Sequence, residues 1–285
     1  MFGTILALLV RIISNPVANF VQKLLSVKHS SILINAYSYG FLTLFCLYPA
    51  ITSYSWNSYG CEYWALACFA GLLCTSGTIC LIKALQYGEM SILGPINSYK
   101  CVVGLGLAAL FLGEIPTIIE LLGVLLIIYG SWYIFDTIEN GRILNIIKRK
   151  DILLRFAALI LTGGEAVVIK KIILMSSAPQ AFILWCFTGF LFSIALLCVF
   201  RIKLVKLSPK DILLTLAIAV CLGAMQLSTN IVFQRMNVGL ALALFQLSGI
   251  IAVFFGWKVF GEQNIKKKLL GVLIMIIGSS FILIK

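Results

Sequence analysis

Apolar residues in this chain fall into ten blocks of helix-spanning length, separated by short polar or charged breaks. They cover approximately residues 2–21, 32–52, 63–85, 91–112, 116–135, 152–169, 178–200, 212–233, 238–260 and 269–284. The blocks are continuous in apolar character and do not alternate at period two, which argues against a membrane barrel and for helices. Composition agrees. Hydrophobic residues make up 61% of the chain and charged ones 11%, with a mean hydropathy of +1.08, whereas soluble domains carry about a quarter charged residues. The expectation is an all-α integral membrane protein of ten transmembrane helices.

The N-terminus MFGTILALLV has no basic leader region, and Arg11 falls inside the apolar stretch, so the first block is expected to stay as a helix. Nine cysteines are scattered singly with no CxxC pair, and read as small packing residues. His29 is the only histidine, which removes the ligands of histidine-box oxidases and His-ligated metal hydrolases.

An internal repeat organises the blocks. The segment ALFLGEIPTIIELLG returns as GWKVFGEQNIKKKLLG, with Glu262 lying 148 residues after Glu114. At the same offset and without a gap, Gly113 falls on Gly261, Gly123 on Gly271, Gly130 on Gly278, Gln86 on Gln234 and Lys23 on Lys171. The chain divides into residues 1–135, a charged linker at 136–151, and residues 152–285. Each half has five spans. Five is odd, so the second half enters the membrane from the opposite side, and an inverted repeat is expected.

The run from Pro95 through Gly113, Glu114, Pro116 and Thr117 to Leu122 and Gly123 resembles the EamA domain of the drug/metabolite transporter superfamily. The second half keeps Gly261, Glu262 and Gly271 but has Ala243 in place of Pro95 and Asn264-Ile265 in place of the Pro-Thr pair. The resemblance implies a ten-helix carrier of metabolites or drugs, often an exporter, with a small-molecule substrate and no metal or nucleotide cofactor.

Basic residues gather on the face that carries the linker, including Lys23, Arg142, Lys148, Arg149, Lys150, Arg155, Lys266, Lys267 and Lys268. The other face has only Lys170, Lys171, Arg235 and Lys285. The positive-inside rule makes the rich face cytoplasmic and places both termini outside, in an inner or plasma membrane. Carriers of the resembling family are commonly drawn the other way. The net charge of +12 is accounted for by this bias and by anionic lipid headgroups, with no need of nucleic acid.

Ionisable residues deep in a span are expensive and usually face a bundle interior or a wet cavity. Arg11, Lys100 and Glu165 qualify by depth. Asn15-Pro16, just after Arg11, matches Gly163-Gly164 at the repeat offset. Helix interruptions at equivalent points of two inverted halves point to a midplane site. Asn19, Asn97, Tyr99, Gln226, Asn230 and Gln246 are polar residues of neighbouring spans.

In one reading these residues line a central cavity in which Arg11 and Lys100 receive an anionic group, while Glu165 receives an ammonium or exchanges a proton; a zwitterion such as an amino acid suits that set. In the other, Glu165 pairs with Lys100 or Arg11 only to neutralise buried charge. Gly113-Glu114 and Gly261-Glu262 read as equivalent turns, spans four to five and nine to ten, each with its carboxylate near the next helix's N-terminus. A cofactor-free membrane enzyme acting on lipid, or a channel or structural membrane protein, are the other classes. No Gly-rich phosphate loop supports the first, and two matched helix breaks favour a carrier over the second.

Overall fold

The computed structural model describes residues 2–56, 59–103, 117–137, 149–236 and 238–282. Among them the regular structure is entirely helical. The first half contains α1 (Phe2–Ser26), α2 (Ser31–Thr52), α3 (Cys61–Tyr87), the single turn α4 (Met90–Leu93), a 3-10 turn Pro95–Ser98, helical residues 99–103, and α5 (Ile118–Phe135). The second contains α6 (Lys150–Met175), α7 (Ala178–Val199), α8 (Pro209–Arg235), α9 (Val238–Phe245), α10 (Ser248–Phe260) and α11 (Ile265–Phe281). The offset of 148 carries the start of α3 onto that of α8 and the start of α4 onto that of α9.

Helix starts follow local chemistry. Ser30, Ser177 and Ser208 each accept the backbone N–H three residues on, and Thr117 forms a reciprocal capping box with Glu120. Between their ends the helices are apolar around most of their circumference. Leu44, Ile51, Leu125 and Trp132 point outward, as a helix in lipid permits and one in water does not. Among the described residues, eight segments are long and apolar enough to cross a membrane: α1, α2, α3, α5, α6, α7, α8 and the combined stretch Val238–Phe260. The interrupted stretch from Met90 and the 17-residue α11 are two further helical stretches that fall short of that length among the described residues.

Packing between the halves is reciprocal. The first helix of each half packs on the third helix of the other, α1 on α8 and α6 on α3; α2 packs on its counterpart α7, and α5 on its counterpart α11. Counterparts run antiparallel. On α5 and α11, Gly123 meets Gly278 and Gly130 meets Gly271, so numbering rises along one helix as it falls along the other. These contacts are backbone to backbone: a Cβ on Gly123 would lie 2.6 Å from the Gly278 carbonyl oxygen, and one on Gly130 2.7 Å from that of Gly271. On α2 and α7, Asn35 Nδ2 donates to Ser193 Oγ at 2.9 Å and Thr43 Oγ1 to the Cys186 carbonyl at 3.1 Å, again in opposite sequence order.

The helix interruptions lie elsewhere than expected. Both α1 and α6 run unbroken through Asn15-Pro16 and Gly163-Gly164, since one missing N–H at Pro16 does not end a helix held by its neighbours. The fourth span of each half is the broken one. In the first, Pro95 supplies no N–H and Asn97 N–H turns back to Gly94 O, three residues away. In the second, Gln246 N–H takes Ala243 O and the helix resumes at Ser248.

Candidate functional site

A cavity of about 100 Å³ lies between the halves, lined by α1, α3, residues 97 and 100, α6, α7, α8 and α9. That is many times the roughly 10–15 Å³ that admits one water. Arg11, Asn15, Asn19 and Gln22 line one wall at spacings of four, four and three, a single face of α1 about 16 Å long at 1.5 Å per residue. Arg155, Ala158, Thr162, Glu165 and Ile169 line another at spacings of three and four, one face of α6.

Among the described residues, four Arg, Lys and Glu side chains face this space: Arg11, Lys100, Arg155 and Glu165. Among the described residues, none of them forms an ion pair within 4.0 Å. Glu165 therefore makes no direct ion pair with Lys100 or Arg11 among the described residues. Glu165 Oε1 instead accepts from Trp185 Nε1 at 2.9 Å. Arg11 is 8% exposed, its guanidinium sits 4.7 Å from the centroid of the Phe245 ring, and its Nε and Nη1 have no hydrogen-bond partner among the described residues. Gln22 Oε1 is likewise without a partner among them.

The broken helices are held together at the cavity's edge. Turning Asn97 N–H back to Gly94 leaves Leu93 O free, and Arg155 Nε donates to it at 2.8 Å while its Nη2 donates to Asn97 Oδ1 at 3.1 Å. In the second half, Gln246 Nε2 takes the freed Leu242 O at 2.7 Å. Asn97 Nδ2 then donates to Gln246 Oε1 at 3.3 Å, joining the two breaks. Freed backbone groups inside a membrane protein require such partners.

Of the expected residues, Arg11, Asn15, Asn19, Asn97, Lys100, Glu165 and Gln226 meet in the cavity. Asn230 stands behind it, accepting from Gln226 Nε2 at 3.1 Å and donating to Ala178 O at 3.2 Å, so it orients Gln226. Gln246 reaches it through Asn97. Tyr99 lies to one side and exchanges a hydrogen bond with Ser131 at 2.7 Å.

Gly113 and Glu114 lie outside the described residues. Gly261 is the left-handed cap of α10 at φ 65°, as a Gly turn requires. Glu262 does not serve the helix that follows it. It is 8% exposed and accepts from the N–H groups of Met90 at 2.8 Å and Ser91 at 2.9 Å and from the Ser91 hydroxyl, capping the N-terminus of α4 in the opposite half. Lys23 Nζ completes the cluster at 3.3 Å.

Four site residues escaped the sequence reading. Arg155 reads as a topology charge, yet it is 5% exposed and turned into the cavity; its place on the 3-4-3 stripe that leads through Ala158 and Thr162 to Glu165 is the available signal. Gln22 completes the polar stripe begun by Arg11. Trp185 sits mid-helix, away from the interfaces where Trp concentrates, and a buried indole N–H needs an acceptor. Phe245 has no local signal.

Residues 1–136 and 149–284 each match the EamA-like transporter family. No curated protein shows significant similarity to the chain. A solved structure described only as "Crystal structure of protein" has the same fold, with a TM-score of 0.65 and 12% identity over 95% of each chain.

Proposed function

Given that the chain belongs to the EamA-like transporter family, a family of membrane transporters in the drug/metabolite superfamily, we propose that it is a secondary transporter of a small polar metabolite, working as an exporter or exchanger by alternating access. The observation that carries this reading is the cavity between the halves, where the buried Arg11, Arg155 and Glu165 and the half-buried Lys100 stand without ion-pair partners among the described residues. Charge left unneutralised at midspan costs free energy unless a bound solute or water receives it.

In this reading all ten apolar blocks cross the bilayer and the two five-helix units are inverted. The antiparallel contact of α5 with α11 supports the inversion, and the broken fourth spans facing each other across Asn97 and Gln246 support a midplane site. The basic surface formed by Arg149, Lys150, Lys266 and Lys267 supports a cytoplasmic linker and external termini even after Arg155 is reassigned to the cavity.

Purified protein in liposomes, loaded in turn with amino acids, sugar phosphates, nucleotide sugars and cationic drugs, tests the proposal by counterflow. Saturable, trans-stimulated exchange of one class is expected. Product formation without flux, or a non-saturable leak, overturns it.

A further inference from the structure

Resting on the carrier reading, we infer that the cavity selects a small organic anion, whose carboxylate or phosphate oxygens are received by Arg11, over a neutral zwitterion or a cation. The charge balance comes first. Three potential cations, Arg11, Lys100 and Arg155, face one carboxylate, Glu165. The two guanidiniums stay protonated in a protein. Whether Lys100 and Glu165 are charged, neutral or share a proton, the cavity keeps an excess of one to three positive charges. A zwitterion leaves that excess untouched; an anion removes it, and in a low-dielectric interior the difference is large.

The geometry then distinguishes the cations. Arg155 has committed donors to Leu93 O and Asn97 Oδ1, so it supplies field and holds the helix break. Arg11 has not. It is more than nine-tenths buried, its guanidinium carbon lies over the Phe245 ring, and Nε and Nη1 have no partner among the described residues. A guanidinium held over an aromatic ring keeps its in-plane N–H donors available, and its side-on fork (Nε with Nη2) or end-on fork (Nη1 with Nη2) matches the two oxygens of a carboxylate or phosphate. Gln22 Oε1, an acceptor without a partner among the described residues on the same face of α1, suits a hydroxyl or ammonium hydrogen elsewhere on the solute. A hydroxylated dicarboxylate, an acidic amino acid and a phosphate monoester share this chemistry.

Two measurements on the full chain test the inference separately from the carrier reading. Binding is read in nanodiscs from the fluorescence of Trp185, which contacts Glu165; a matched Trp185→Phe protein identifies its contribution against the other tryptophans. The ligands are succinate, L-glutamate, glycerol 3-phosphate, L-leucine and choline. Saturable binding confined to the first three is expected, with preference among them separating carboxylate from phosphate recognition. Arg11→Gln weakens it at least about tenfold, and Arg11→Lys restores part of the loss. Equal or tighter binding of leucine or choline, or anion binding unchanged in a folded Arg11→Gln protein, overturns the inference. Counterflow of the same solutes judges transport: anion binding without saturable flux leaves the inference standing and sinks the carrier, whereas saturable leucine flux without anion competition does the reverse.

Discussion

Glu262, in the turn between α10 and α11, accepts both the N–H and the hydroxyl of Ser91 at the N-terminus of α4, so a carboxylate of one half caps a broken helix of the other. Burial pushes its pKa up, but the Ser91 hydroxyl and N–H, the Lys23 charge and the Met90 N–H together outweigh burial and hold it below the ordinary carboxylate value. A group with a depressed folded pKa contributes stability that is complete above the unfolded value, about 4.3, and is lost as pH falls through the folded one. Melting temperature of the detergent-solubilised protein should fall on acidification below that point. Glu262→Gln should cost about 1–3 kcal/mol at neutral pH and lack that part of the acid loss. Parallel pH curves for the two proteins would rule out this role.

Glu165→Gln keeps an acceptor for the Trp185 N–H while removing the charge. The variant should fold and yet transport at least about tenfold more slowly with a flattened pH profile, the effect expected of a lost proton or ammonium acceptor. Uptake and pH dependence matching the parent protein would return Glu165 to a packing role.

Arg155→Leu strands Leu93 O and Asn97 Oδ1 at the helix break. A loss of about 1–3 kcal/mol is expected, the cost of leaving a buried acceptor unsatisfied, with Arg155→Lys intermediate. Thermal stability by size-exclusion chromatography measures it; equal stability of Leu and Arg would show that the break satisfies itself.

Gly123→Leu and Gly278→Leu should abolish recovery of monodisperse protein, because each would drive a side chain into the opposing helix backbone. Gly163→Ala is the matched control: a Cβ there meets nothing within 4 Å among the described residues, and Gly to Ala inside a helix gains about 0.5–1 kcal/mol. Yield and elution profile of the three variants decide the point.

Much of this arrangement was legible in the residues themselves. Apolar block lengths and the 148-residue offset gave the helical halves, because desolvation of whole segments dominates local detail in a membrane. Depth within a span singles out Arg11, Lys100 and Glu165, and all three line the cavity. Depth alone misplaced Arg155, which lies only five residues inside α6 but on the same face as Glu165; facing has to be read with depth. Visible helix breakers stand at Asn15-Pro16 and Gly163-Gly164, yet α1 and α6 run through them. The breaks occur at Gly94-Pro95 and at Gln246-Leu247, and the second has no Pro and only Gly249 at its far end, donating to Gln246 O. Its conformation rests on side-chain satisfaction of Leu242 O by Gln246 and on contact with Asn97, which are tertiary facts that composition does not record.

The glycine crossing of α5 and α11 has a mechanical consequence. Where peptide carbonyls of one helix touch the backbone of the other, no rotamer is available to absorb displacement, so the seam resists shear and twist alike. It ties the halves together at one edge like the spine of a book. On the carrier reading proposed above, exchange between inward and outward openings would be hinged there, with the pages turning through the contacts of α1 with α8 and α3 with α6.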